Sequence, residues 1–195
     1  TSVIEVEGGN DFSCARKSNG SVYCWGSDQK GQLGDGNFGK DYTVARKVTE
    51  LSDASDLCVG YQHACAVKAD GKMLCWGEGS DDRLGFGATE DQFAPVDVKN
   101  ISTAVSCSLG HNHSCVKLSD KTTRCWGSAG SGQLGNGQLS TSSMTIPVSV
   151  YGINNATQIS VGGGHACALL EGGSVKCWGD GLRGELGIGI IGTKM

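Results

Sequence analysis

The sequence predicts an all-β fold: a β-propeller-like array of four blades, each of four short antiparallel strands. Three observations carry that prediction. A cysteine is followed ten residues later by Cys-Trp-Gly four times, at Cys14…Cys24-Trp25-Gly26, Cys65…Cys75-Trp76-Gly77, Cys115…Cys125-Trp126-Gly127 and Cys167…Cys177-Trp178-Gly179, with successive copies 51, 50 and 52 residues apart. A Leu-Gly pair then follows each tryptophan at one fixed distance, at Leu33, Leu84, Leu134 and Leu186. The chain also holds 32 glycines, which disfavour helix interiors, and no window sustains a 3.6-residue apolar period.

Each element of the unit has its own signal. An apolar run ending in glycine, such as Leu57-Cys58-Val59-Gly60 or Ile159-Ser160-Val161-Gly162, opens the unit as a strand. The paired cysteines bracket a hairpin that turns at residues 17–21, 68–72, 118–122 and 170–174. Gly20, Gly71 and Gly173 stand where a three-residue loop needs a left-handed residue; Lys121 stands there in the third unit, so that turn is expected to be strained or differently built. Centring the loops on Asn19, Asp70, Asp120 and Gly172 sets Cys14 opposite Cys24, Cys65 opposite Cys75, Cys115 opposite Cys125 and Cys167 opposite Cys177. Directly opposed Cβ atoms lie about 4.5–5.5 Å apart, near disulfide range. The leucines, flanked by glycine at a tight reversal, are expected to be buried anchors. An extended outer stretch closes the unit, clearest at Pro95-Val96-Asp97-Val98 and Pro147-Val148-Ser149-Val150, with each proline expected at the first position of an outer strand. The chain is expected to be a single array over residues 1–195, with repeats near 1–40, 41–90, 91–140 and 141–195.

The run from Val161 to Gly189, with Gly162, His165, Cys167-Ala168-Leu169, Val175, Cys177-Trp178-Gly179 and Gly184-Glu185-Leu186-Gly187, resembles the regulator of chromosome condensation repeat. The resemblance extends over essentially the whole chain. It implies a β-propeller, usually of seven blades, whereas four repeats occur here and the sequence stops at residues 190–195, where the next outer strand would begin. The expectation is an incomplete or extended propeller that continues into further blades, pairs with a second copy or docks its edge on a partner, because open strand edges are a liability in solution.

Ten cysteines bound the compartment. Eight form the hairpin pairs; Cys58 and Cys107 remain, and a cross-blade disulfide is preferred over two buried thiols. No zinc-type spacing is present, so the oxidised reading wins, each ten-residue closure stabilising the fold by about 2–3 kcal/mol. This points to an extracytoplasmic oxidising compartment: secreted, cell surface, or an organelle lumen such as the thylakoid lumen, and not the nucleus. The absence of a signal peptide at Thr1 suits a processed chain, and no apolar run nears the 18 residues of a membrane span. Four sequons, at Asn19, Asn100, Asn112 and Asn155, are candidate glycosylation sites.

Other chemistry has simpler explanations. His63, His113 and His165 precede the first hairpin cysteine by two residues, and the recurrence favours a structural hydrogen bond over metal or nucleophilic chemistry; Phe12 fills the position in the first unit. The acidic pieces Asp81-Asp82, Glu90-Asp91 and Asp35-Gly36-Asn37 lack calcium-loop spacing and read as solvated turns. All four tryptophans occupy the repeated position, leaving none for a light-sensing cluster. The resemblance implies nucleotide exchange on a nuclear GTPase and chromatin docking, but the net charge of −4 and the absence of a basic tail oppose nucleic-acid binding. No catalytic residue, metal or cofactor is assigned. The sequence thus reads as a non-enzymatic protein-interaction module, a stapled subunit or scaffold of a larger assembly. The alternatives are a secreted enzyme inhibitor of the β-lactamase-inhibitor propeller type and a carbohydrate-binding protein, and clustering of Tyr42, Tyr61, Phe86, Phe93 and Tyr151 on one rim would mark a binding hot spot.

Overall fold

The computed structural model describes residues 2–140 and 142–193. Four separate antiparallel sheets follow one another along the chain. The first holds β1 (Val3–Gly8), β2 (Phe12–Lys17), β3 (Val22–Gly26) and β4 (Tyr42–Lys47). The second holds β5 (Ala54–Val59), β6 (His63–Lys68), β7 (Met73–Gly77) and β8 (Gln92–Asp97), and the third β9 (Ala104–Leu109), β10 (His113–Leu118), β11 (Thr123–Gly127) and β12 (Met144–Ser149). The fourth holds β13 (Ala156–Val161), β14 (His165–Leu170) and β15 (Val175–Gly179). Strands are ordered in space as in sequence, and a 3-10 turn at Ser80–Asp82 is the only helical element among the described residues. No helix among them is long and apolar enough to cross a membrane.

The fourth sheet has three strands among the described residues. The outer strands of the first three sheets begin at Tyr42, Gln92 and Met144, and the equivalent position after Trp178 lies past residue 193, outside the described residues. The sheets also divide the chain at residues 48–53, 98–103 and 150–155, some ten residues later than the repeat boundaries near 40, 90 and 140. The cause is pairing: after the Leu-Gly loop the outer strand returns to its own Cys-Trp-Gly strand, as in Cys24↔Arg46 and Cys75↔Val96. Each proline sits fourth in its outer strand rather than first, between the pairs Gly77↔Gln92 and Cys75↔Val96 for Pro95, and between Gly127↔Met144 and Cys125↔Val148 for Pro147. A missing N–H costs nothing at such a bulge.

The hairpins turn through left-handed Gly20, Gly71 and Gly173, and in the third sheet through Lys121 at φ 66°, a conformation an L side chain adopts at a cost. The carboxamide or carboxylate at the loop centre accepts the N–H two residues on, as Asn19 from Ser21, Asp70 from Lys72 and Asp120 from Thr122. Three apolar clusters lie between consecutive sheets, each joining one face of a sheet to the opposite face of the next. Leu33, Leu84 and Leu134 are buried within them, and Leu186 is buried on the far face of the fourth sheet.

Candidate binding surfaces

The inter-sheet contact is built the same way three times. The indole N–H of Trp76 donates to the Gln32 carbonyl at 2.9 Å, that of Trp126 to Arg83 at 2.9 Å and that of Trp178 to Gln133 at 3.0 Å. Each acceptor precedes the buried leucine of the previous sheet. The glycine after that leucine lies under the incoming ring, so that a Cβ on Gly34, Gly85 or Gly135 would fall 2.8, 2.6 or 2.7 Å from it. Among the described residues the contact has no counterpart beyond the first and fourth sheets. Nothing lies within 4 Å of a Cβ on Gly187, and Trp25 is only half-buried on the outer face of the first sheet, with no acceptor for its indole among the described residues.

Five disulfides join Cys14–Cys24, Cys65–Cys75, Cys115–Cys125, Cys167–Cys177 and, between the second and third sheets, Cys58–Cys107. Asp56 approaches the last of these, its carboxylate accepting the Cys107 N–H at 2.9 Å, and burial raises its pKa. The bonded sulfurs have no thiolate to offer a metal.

The turns between the first two strands of each sheet ring one end of the axis. Asn10 N–H donates to the Tyr61 carbonyl, Tyr61 N–H to Gly110 and His111 N–H to Gly163, at 3.1–3.2 Å, and these turns line a cavity of about 380 Å³. Tyr61 packs against His111 at its mouth, ring centroids 4.9 Å apart. Beneath the ring sit Phe12, His63, His113 and His165, each against a turn glycine (Gly9, Gly60, Gly110, Gly162) whose Cβ would come within 2.3–2.7 Å of the side chain. The recurring feature is this packing, and the expected repeated hydrogen bond does not recur. His63 Nε2 lies 2.9 Å from Ser114 Oγ, and Ser114 donates to the Arg83 carbonyl at 2.7 Å, so His63 is the donor. His113 faces a sheet with Ala166 in place of that serine, and neither of its buried ring nitrogens has a partner among the described residues. Burial holds His63 neutral and pushes His113 down to about 4.

The five aromatics proposed as one rim are not brought together. Tyr61 is at the axis; Phe93 stacks on Phe38 with centroids 4.2 Å apart; Tyr42 lies under Lys40 and Arg46; Phe86 packs into the second apolar cluster; Tyr151 stands alone, 83% exposed. Asn19 and Asn100 are exposed, and Asn112 and Asn155 half-buried. The sequence reading passed over Phe38, His111 and Asp28. His111 had a usable signal, because the same turn position reads Asn10, Tyr61, His111 and Gly163 in otherwise repetitive units. Asp28 is buried, accepts the Leu33 N–H at 3.0 Å, and is raised to about 6 chiefly by burial.

Blade-like sheets stacked around an axis, locked by a tryptophan handed from each to the one before, define a β-propeller repeat protein. Models of the regulator of chromosome condensation (RCC1) repeat match residues 3–32, 54–82 and 156–185, and residues 19–67, 70–116 and 125–169; the chain belongs to this family. It is 30% identical over 193 residues to the human probable E3 ubiquitin-protein ligase HERC6, covering 93% of this chain and 19% of that protein. Human WBSCR16 superposes with a TM-score of 0.87 at 23% identity over 98% of this chain and 51% of its own. Yeast RCC1 (Prp20), in its crystal structure bound to Kap60, does so with a TM-score of 0.87 at 18% identity, over 99% and 47%. The chain therefore spans about half the length of these solved propellers and a fifth of HERC6.

Proposed function

We propose that this chain is a non-enzymatic protein-interaction module, stapled by disulfides, that serves as a subunit or scaffold of a larger assembly in an oxidising compartment outside the cytosol. RCC1-like propellers are a protein-interaction fold family, which supports this class of activity. The compartment rests on one observation: all ten cysteines are paired, including the cross-sheet pair Cys58–Cys107, and no thiol is free. The turn end of the axis, with Tyr61 over its cavity and the Phe38–Phe93 stack outside it, is the proposed partner-binding surface. A formal charge of −4 favours a protein partner over nucleic acid. Exposed Asn19 and Asn100 are the sequons most open to glycosylation.

The test has two arms. The exported protein, alkylated without reductant and weighed, is expected to show no reactive cysteine. A folded chain with ten alkylatable thiols would refute the compartment. Photo-crosslinkers placed at Tyr61 and Phe38 in the native host are expected to capture a defined protein that the same probe at Tyr151 does not. Equal capture from all three positions would refute the surface.

A further inference from the structure

The cross-sheet disulfide differs from the four hairpin pairs in its surroundings. Cys58 in β5 and Cys107 in β9 stand 49 residues apart in sequence, and their Cα atoms lie 5.9 Å apart across the boundary of the second and third sheets. Asp56 precedes Cys58 by two residues and so shares its face of β5. It brings a carboxylate oxygen to the pair, and the three donor atoms all lie within 4.8 Å of one another. No other three His, Cys, Asp or Glu donors are so close among the described residues. The carboxylate is oriented in advance, because it accepts the Cys107 N–H at 2.9 Å. The cations whose charge reaches it are engaged elsewhere: Arg16 pairs with Glu5 at 2.6 Å, and the Lys117 ammonium donates to the Thr157 carbonyl at 2.8 Å. Glu7 adds a second carboxylate to the hollow of about 230 Å³ that Cys58 and Cys107 also line.

We propose that Asp56, Cys58 and Cys107 form a masked site for a thiophilic divalent cation of the zinc class, closed while the disulfide is intact and opened when a dithiol reduces it. The exchange is a two-electron step. One thiolate of the dithiol displaces a cysteine sulfur, the second displaces the dithiol from the mixed disulfide, and the reductant leaves as its own disulfide with Cys58 and Cys107 as thiols. Binding the ion then releases the two thiol protons. Two thiolates on a tetrahedral zinc, each about 2.3 Å from the ion, stand about 3.8 Å apart, and a carboxylate oxygen at about 2.1 Å stands about 3.6 Å from each. A span of 4.8 Å is within small side-chain rotations of that arrangement, and the fourth position is left to water. Two sulfurs and one oxygen favour zinc over calcium or magnesium, which take oxygen ligands. The ion bridges the same two sheets as the bond it replaces, so the seam is fastened in either redox state. The site stands neither on the compartment nor on the turn end assigned to partner binding: in an oxidising compartment it stays closed, and each reading can fail alone.

The test uses the chain reduced with dithiothreitol and freed of it under argon, with Co²⁺ and Zn²⁺ alone as probes. A single equivalent of Co²⁺ is expected to give the ligand-field bands of a tetrahedral ion and a thiolate charge-transfer band, both erased by a single equivalent of Zn²⁺. The oxidised chain should give neither. The double variant Cys58→Ser, Cys107→Ser, reduced in the same way, keeps every hairpin cysteine and should lose both signals. Asp56→Asn should keep the thiolate band and bind at least tenfold more weakly. Urea midpoints give a second readout that does not depend on colour: Zn²⁺ should raise the midpoint of the reduced parent and leave that of the double variant unmoved. No stoichiometric binding by the reduced parent, a midpoint that Zn²⁺ does not move, equal binding by the double variant, or an Asp56→Asn chain that binds as tightly as the parent would overturn the proposal.

Discussion

Gly135 and Gly187 occupy the same place in successive repeats, at φ values of 61° and 66°, and differ in what covers them. A Cβ on Gly135 would stand 2.7 Å from the Trp178 ring; on Gly187 it would meet nothing within 4 Å. Alanine at either site bears the left-handed backbone cost of about 1–2 kcal/mol. At Gly135 the ring must also give way, adding about 1–3 kcal/mol for overpacking, with the 3.0 Å indole bond to the Gln133 carbonyl weakened as well. The expected losses are therefore about 2–5 kcal/mol for Gly135→Ala and about 1–2 kcal/mol for Gly187→Ala. The two variants should be compared by urea unfolding of the oxidised protein at neutral pH. Equal losses at the two sites would show that the glycines serve only their turns, and the tryptophan seat would not be a source of stability.

The buried, neutral His113 has a folded-state pKa below its unfolded value, so its contribution is present above about pH 6.5 and lost as pH falls toward 4. His113→Phe, the residue the first repeat uses as Phe12, should remove that acid sensitivity, recovering about 3 kcal/mol near pH 4 in a pH series of melts. Asp28 has the opposite sign: its folded pKa of about 6 lies above the unfolded value, so its contribution is full below about pH 4 and lost as pH rises through 6. Asp28→Asn, which keeps an acceptor for the Leu33 N–H, should stabilise the protein at pH 8 by on the order of 1 kcal/mol after solvent screening and leave pH 4 unchanged; a loss at pH 8 would contradict the burial argument. Replacing Cys58 and Cys107 together by serine opens a closure of 49 residues and should cost about 4 kcal/mol, read as a lower denaturant midpoint.

The repeated residues were legible in the sequence because repetition exposes them. Four equivalent leucines and four Cys-Trp-Gly strands identify the strand content, hairpin register and anchors before any contact is known. The phase of the repeat is different in kind. A tandem array can be divided at any point of its period, and only the pairing of Tyr42–Lys47 back onto Val22–Gly26 decides where a sheet ends. The acceptors of the indoles were hidden for a related reason: Gln32, Arg83 and Gln133 lie 43–45 residues before their tryptophans, in another sheet. Surface aromatics lack even that regularity. Tyr61 meets His111 because adjacent turns converge on the axis, and Phe38 reaches Phe93 from a long loop, neither of which a list of exposed rings conveys.

The indole-to-carbonyl links all point one way along the chain, each sheet gripping only the one before it. Such a body unravels from its tips, since removing an outer sheet breaks a single set of neighbour contacts. Cys58–Cys107 fastens the second and third sheets across their boundary, whereas the fourth, with Val175 and Leu169 in solvent, is covered on one side only among the described residues. Amide exchange should then fall off in a gradient from a slow kernel at β6 and β10 to a fast rim at β15. Anything that covers the fourth sheet, a further sheet of the same protein included, would slow its exchange and leave the kernel untouched, so that coverage can be read as a rate.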